Sequence, residues 1–210
     1  MTIERITSSC LLSNMYFIRE ENHIIVIDPC IVDDFPDDCK LDYILLTHEH
    51  IDHISGVNYW KSLTGAPVLC NKECADNIKN PKKNMSHYFE AFSALQTWAP
   101  KSCIKDFGDY SCIADEVYSD EYIFYWCGHT IRCFSTPGHS EGSSCILVDD
   151  KYAFSGDSLI KGFEPTLRFP GGSKKMWLTQ GMPRLKELDV DTLIYPGHFD
   201  EFLLSEYEWT

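Results

Sequence analysis

The chain has 210 residues, 44% of them hydrophobic and 24% charged, and carries a formal net charge of −14 at pH 7. That length is enough to bury a proper core, and the composition excludes disordered, collagenous and low-complexity classes. So acidic a body repels phosphate backbones and anionic lipid surfaces, which argues against nucleic-acid and membrane partners, and no apolar run reaches the ~18 residues of a membrane span.

Short β-branched or aromatic runs predict strands at Thr2–Ile6, Leu11–Arg19 and Ile24–Asp28, with a turn at Glu21-Asn22-His23. Asp28-Pro29 closes the third strand, and Asp33, Asp34, Asp37 and Asp38 read as a solvated acidic loop. The continuous apolar run Tyr43–Leu46 fits a strand buried on both faces. A helix is predicted over Ile54–Leu63, then a strand at Pro67–Cys70, then mostly helix from Asn71 to Leu95, interrupted at Asn80-Pro81. Residues 96–115 show no period and read as an irregular insertion. Strands return at Glu121–Cys127, Thr130–Thr136, Ser144–Val148 and Lys151–Ser155, the last two forming a hairpin over Asp149-Asp150. A Gly/Pro-rich loop spans 162–172, a helix with Pro183 kinking or restarting it covers Lys174–Leu188, and a last strand is Thr192–Tyr195. Two batches of strands separated by helices point to two sheets packed face to face with helices outside, all within one domain over residues 1–210 that carries a partly helical insertion at about 75–115.

The segment 1–20 has Glu4 and Arg5 and no compact apolar stretch ending in small residues, so no secretory signal is expected and a cytoplasmic setting is. The ten cysteines form no C-x-x-C pair and many lie in apolar runs, so they read as buried small hydrophobes rather than a disulfide scaffold or zinc ribbon.

Three of the eight histidines fall within six residues, in Thr47-His48-Glu49-His50-Ile51-Asp52-His53, straight after a buried strand. Imidazole and carboxylate groups are ligands for zinc or iron. His48 and His50 alternate along an extended segment and can point the same way, while Asp52 and His53 are presented by the turn toward a second ion. His139 in TPGHS, Asp157 in SGD and His198 in PGH are each the first polar side chain after an apolar run and a small residue that lets backbone approach a crowded site. Together these make seven candidate ligands.

The run THEHIDH, followed in order by TPGHS, SGD and PGH, resembles the metallo-β-lactamase superfamily and, within it, the glyoxalase II-like hydrolases. The resemblance extends from the strand ending at Asp28 to His198 and implies the four-layer αβ/βα sandwich, an α/β fold with the metal site at one edge between two mixed sheets. It implies that His48, His50 and His139 hold one ion, that Asp52, His53 and His198 hold another, that Asp157 bridges them, and that Asp28 orients the ligand loop from behind. Two divalent ions follow, zinc foremost, with iron or manganese as alternatives. Only 12 residues follow His198, which implies a short form lacking the helical C-terminal domain of full-length glyoxalase II.

The activity this implies is hydrolysis, with a hydroxide activated by two metals and oriented by Asp52 and Asp157 attacking a thioester or ester carbonyl of a small acyl substrate. Several β-lactamases of the superfamily place a cysteine in the second metal site; position 157 is aspartate, which disfavours antibiotic hydrolysis. One alternative is a persulfide dioxygenase-like oxidoreductase using one iron on His48, His139 and Asp157; another is a non-catalytic metal-binding sensor. Lys161, Arg168, Lys174 and Lys175 are candidates for holding a substrate carboxylate, or are solvated loop charges. Tyr88, Phe89, Phe92 and Trp98 either line an apolar mouth or pack the insertion on the body, while the 96–115 and 162–175 segments are the expected walls. His23, His87 and His129 lie outside every ligand motif and read as structural. Two positions depart from the resemblance: Cys30 and Phe199 stand where many relatives have glycine, and Phe199 can narrow the pocket mouth. The sequence leaves the oligomeric state open.

Overall fold

A computed structural model describes residues 1–8, 11–31, 38–91 and 107–209. Apolar side chains alternate between two destinations along the central strands, and this alternation builds the layers. In β2 (Asn14–Glu20) and β3 (His23–Ile27), Met15, Phe17, Ile24 and Val26 join one core, whereas Tyr16, Ile18, Ile25 and Ile27 join a second. In β9 (Ser144–Val148), Ile146 and Val148 meet that second core while Cys145 and Leu147 join a third. Three apolar layers between four layers of secondary structure are what an αβ/βα sandwich requires.

The first sheet runs β1 (Thr2–Thr7), β2, β3, β4 (Lys40–Leu45), β5 (Val68–Asn71), β6 (Glu116–Tyr118), in that spatial order. Its first two pairings are antiparallel and the other three parallel. The second sheet places β12 (Phe202–Leu203), β11 (Leu193–Pro196), β10 (Tyr152–Gly156), β9, β8 (His129–Ser135) and β7 (Glu121–Trp126) side by side, with one parallel pairing, β10 with β11. Both hairpins of this sheet turn on two consecutive residues with positive φ: Cys127-Gly128 (49° and 85°), and Asp149-Asp150 (52° and 55°), where Lys151 completes the loop before Tyr152 pairs with Val148.

Helices α1 (Ile51–Ile54), α2 (Val57–Thr64) and α3 (Lys72–Asn77) follow β4 and β5, and Ile51, Ile54, Val57 and Trp60 pack in the first core. Sequence periodicity predicts one helix over Ile54–Leu63; the break comes at Gly56, where an added Cβ would meet the Pro29 and Cys30 backbones at 2.6–2.7 Å. Leu11 and Leu12 do not extend β2, because both take positive φ (51° and 54°). The helix predicted from Asn71 is interrupted around Asn80-Pro81 as expected: α3 ends at Asn77, and helix resumes at 89–91 after a 3₁₀ turn at Ser86–Tyr88. Asn84 explains this: its side chain donates to Ile78 O and Tyr110 O and accepts from Ser86 N, replacing helical hydrogen bonds with local ones. Residues 92–106, with Phe92, Trp98 and most of the expected insertion, and Asp33, Asp34 and Asp37 of the acidic loop lie outside the described residues. Lys174–Met176 (α4) continues through a π turn, Trp177–Gly181, into Met182–Leu185 (α5), which restarts the helix at Pro183 as expected.

Six of the eight described cysteines are buried and none is bonded to another. Among the described residues no helix is long and apolar enough to cross a membrane.

Candidate metal centre

Four strand ends converge at one edge of the sandwich. The 48–53 segment follows β4 of the first sheet; His139, Asp157 and His198 follow β8, β10 and β11 of the second. The sheets are joined at this edge by Ser144 N donating to Thr47 O (2.7 Å), Asn14 N to Gly197 O (2.7 Å) and the Tyr16 hydroxyl to Pro196 O (2.6 Å). Glycine is required where the strands meet. A Cβ on Gly197 would overlap Asp157 Oδ1 and come within 2.8 Å of His53 Cε1.

Ligand atoms of His48, His50 and His139 lie within 4.8 Å of one another, as do those of Asp52, His53 and His198. Asp157 reaches both groups: its Oδ1 is 3.4 Å from His53 Nε2, and its Oδ2 is 3.5 Å from His139 Nε2 and 3.6 Å from His198 Nε2. All seven sequence-predicted donors are therefore brought together.

Hydrogen bonds behind the rings decide which nitrogens face inward. The Thr47 hydroxyl donates to Asp28 Oδ2 (2.5 Å), so its lone pairs are left for His48 Nδ1–H at 3.0 Å. His53 Nδ1 donates to the same Asp28 oxygen at 3.0 Å, and His139 Nδ1 donates to Thr166 O at 2.9 Å. Each of these rings then turns its Nε2 into the centre. Nε2 of His48 is buried with no hydrogen-bond partner, a costly state for a polar atom unless a cation takes the lone pair. His139 Nε2 and His50 Nδ1 face each other at 3.0 Å. Asp28 itself spends Oδ1 on Thr47 N (2.8 Å) and Oδ2 on Thr47 and His53, which makes it a support for the donors and not one of them.

Burial pushes His50 and His139 down to about 4 and His48 well below its ordinary value, so all three are neutral near pH 7. Burial also acts against the charged form of His198, but Asp157 and Asp52 outweigh it and hold the ring up at about 9. The same two carboxylates, with the hydrogen bond to Asp28, hold His53 well above the imidazole range. Against burial, His198 and His53 keep Asp157 well below the carboxylate range, and His53 and His198 lower Asp52. Neutral imidazoles on one side and ionised carboxylates on the other form a donor set suited to borderline divalent cations.

Three residues beyond the sequence expectation complete the site. Glu49 is fully buried on the side of the motif opposite His48 and His50, where it accepts from Asn77 Nδ2 (2.9 Å) and Ser140 Oγ (2.8 Å), anchoring the turn that carries His139. The strand-like alternation of 48–50 is the signal for it. Thr166 acts through its backbone, which no residue-type pattern reveals. Phe169 sets its ring edge-on to His50 and His139, at centroid distances of 5.7 and 5.8 Å.

His50, Asp52, His139, Asp157 and His198 floor a cavity of about 390 Å³. Its walls include Leu11, Met85 and Phe89, and Phe163, Glu164, Pro165, Thr166 and Phe169 of the Gly/Pro-rich loop, as expected of that loop; Phe199 also lines it. Lys161 and Arg168, expected as substrate contacts, do not line it. Lys161 Nζ pairs with Glu206 Oε1 at 2.8 Å, and Arg168, Lys174 and Lys175 are exposed. Tyr88 is exposed beside His87, while Phe89 is buried against Phe107. His23, His87 and His129 each place Nδ1 on an aspartate, Asp42, Asp109 and Asp149, at 2.7, 2.7 and 2.6 Å.

The sequence pattern of the metallo-β-lactamase superfamily matches residues 9–198, and the chain belongs to that superfamily. Among its relatives, it is 29% identical over 160 residues to a hydroxyacylglutathione hydrolase of Rhizobium meliloti, 76% of this chain and 48% of that protein. The chain thus spans about half the length of that relative. The fold superposes on the BLEG-1 B3 metallo-β-lactamase with a TM-score of 0.76 at 21% identity, covering 98% of this chain and 95% of the other. It superposes on TTHA1623, solved in a di-iron-bound form, with a TM-score of 0.68 at 22% identity, covering 96% and 95%.

Proposed function

We propose that this chain is a metal-dependent hydrolase of the glyoxalase II-like kind, acting on the thioester or ester bond of a small acyl substrate. The observation that carries the reading is the buried, partnerless Nε2 of His48 among neutral rings, with the outer Nδ1 of His48 and of His139 each tied down by a hydrogen bond. His48, His50 and His139 would hold one divalent cation, Asp52, His53 and His198 a second, and Asp157 would touch both. Zinc suits this nitrogen and oxygen set, and iron suits it as well, in keeping with the di-iron form of TTHA1623. Bound there, such cations acidify a water and polarise a carbonyl oxygen.

The chain's own groups do the rest. Asp52 and Asp157 line the cavity floor as ionised carboxylates, placed to accept hydrogen bonds from the attacking water and fix its approach. Asp28 and Thr47 hold the His53 and His48 rings so that these do not swing when substrate enters. Phe169 covers the outer faces of His50 and His139 and excludes bulk water there. A thiolate or activated alkoxide leaves without a strong acid, which matches a floor that carries the ionised Asp52 and Asp157 beside the neutral His50 and His139.

Elemental analysis of the purified protein, paired with a panel of acyl-thioesters, esters and lactones, tests the proposal. About two equivalents of metal and turnover of at least one thioester or ester are expected. Metal-loaded protein that cleaves none of them favours a sensor role, and oxygen uptake with a glutathione persulfide on a single iron favours the oxidoreductase.

A further inference from the structure

Phe199 follows His198 with φ of 65°, a left-handed conformation that a bulky residue rarely adopts and that glycine takes freely. The chain holds it there: Phe199 O accepts from Arg5 Nη1 at 2.9 Å and from Asn14 Nδ2 at 2.8 Å. The ring that results lies flat against Phe163, with centroids 5.2 Å apart and planes within 6°. The two rings come from different loops, one after Asp157 and one after His198, and both line the cavity while remaining 55% and 46% exposed. A strained backbone that presents an aromatic face at a pocket rim marks a place where the face is used.

The charge of the cavity agrees. Beyond the donors on its floor, the only charged side chain lining it among the described residues is Glu164. Two neighbouring cations are already engaged, and Arg168, Lys174 and Lys175 do not line the cavity. Arg5 pairs with Asp200 at 2.9 Å and Glu201 at 3.0 Å, and Lys161 pairs with Glu206. Within a chain of net charge −14, such walls repel an anionic group and offer it no cationic partner.

We infer that the Phe163–Phe199 pair is a specificity element that selects apolar, uncharged thioesters or esters with a flat aromatic group at the rim, and that the site disfavours glutathione thioesters, whose leaving group carries two carboxylates. The inference rests on the hydrolase reading and narrows it to a substrate class.

The test compares phenyl thioacetate with S-lactoylglutathione on the metal-loaded protein. It also measures by calorimetry the binding of 1-(phenylthio)propan-2-one, an uncharged ketone analogue that cannot be hydrolysed. Wild type is expected to favour phenyl thioacetate by at least about tenfold in kcat/KM. Phe199→Gly, which relieves the backbone strain, should keep its metal content yet weaken ketone binding about three- to tenfold, in line with a lost ring stack. Phe163→Leu should weaken it similarly, and Glu164→Lys should raise kcat/KM for S-lactoylglutathione. Preference of the wild type for S-lactoylglutathione, or unchanged ketone binding in both phenylalanine variants, overturns the inference. If neither thioester is cleaved, ketone binding kept or lost in Phe199→Gly still decides the role of the rim, while the wider panel decides the hydrolase reading.

Discussion

The Asp28 carboxylate lies 3.0 Å from Nδ1 of His53, 25 positions away, with both side chains buried and the Asp28 backbone at φ 51°. This pairing turns Nε2 of His53 toward Asp52 and Asp157. Asp28→Ala frees the ring and removes the acceptor of the Thr47 hydroxyl in one step. Metal affinity is expected to fall about 10- to 100-fold while the seven donors remain, the usual effect of losing such a support. Competition with a chromophoric chelator measures it, and an unchanged affinity would show that the ring is fixed by packing alone.

Removing a donor should be more severe than loosening one. His50→Ala and Asp157→Ala are expected to lose bound metal and all turnover, whereas His129→Ala, at the Asp149 hairpin far along the sheet, keeps both. Full metal content in Asp157→Ala would refute its reach across both groups of donors.

Metal uptake should release protons in a number set by the electrostatics. At pH 7 the metal-free protein holds His53 and His198 protonated, because their values are raised, while His48, His50 and His139 are already neutral. Loading both groups of donors therefore releases two protons from the chain itself, one each from His53 and His198, beyond any given up by an acidified water. Titration calorimetry in buffers of different ionisation enthalpy counts them. For the metal-free fold, His198 stabilises below its ordinary 6.5, and this contribution is lost as pH rises through about 9. His50 and His139 act in the opposite sense: their contribution is present above 6.5 and lost as pH falls through about 4. Taken together, these rings place maximal thermal stability of the metal-free protein near pH 6.5.

Glu49→Ala removes the carboxylate acceptor of Asn77 Nδ2 and Ser140 Oγ, leaving them only Glu141 Oε2 at 3.3 Å and Ser143 Oγ at 2.9 Å. A loss of about 3 kcal/mol is expected, on the order of 10 °C in Tm for a domain of this size. Glu49→Gln, which keeps one acceptor, should lose less. Equal losses in the two variants, read by thermal unfolding, would point to charge rather than hydrogen bonding as the anchor.

The convergence of the seven candidate donors was legible because each stands at a boundary that composition marks. His48 and His50 follow an uninterrupted apolar strand, and His139, Asp157 and His198 each come after a glycine at a strand end. The layers were legible from β-branched runs whose two faces both turned out to be buried, as in Ile24–Ile27. What lay beyond reach depends on partners distant in sequence. Asn84 breaks a helical pattern by bonding to Tyr110, 26 positions on. Strand β6 is three residues long with Val117 exposed, too short for any periodicity to declare it. Lys161 looked available for substrate because its partner, Glu206, is 45 positions away. The side of the 162–172 loop that faces the cavity depends on a local turn, Phe163 N to Ile160 O at 3.0 Å, that points Phe163 inward and leaves the cations outside.

The donors are divided between the two sheets, four from the segment after β4 and three from the turns after β8, β10 and β11. Neither half of the chain can assemble the centre by itself. During synthesis the first four emerge well before the rest, and His198 comes last, so a cation captured early would meet a half-built cage of weaker grip. Full capture has to wait until the two sheets have docked, which makes a firmly held ion a report that the whole sandwich has closed.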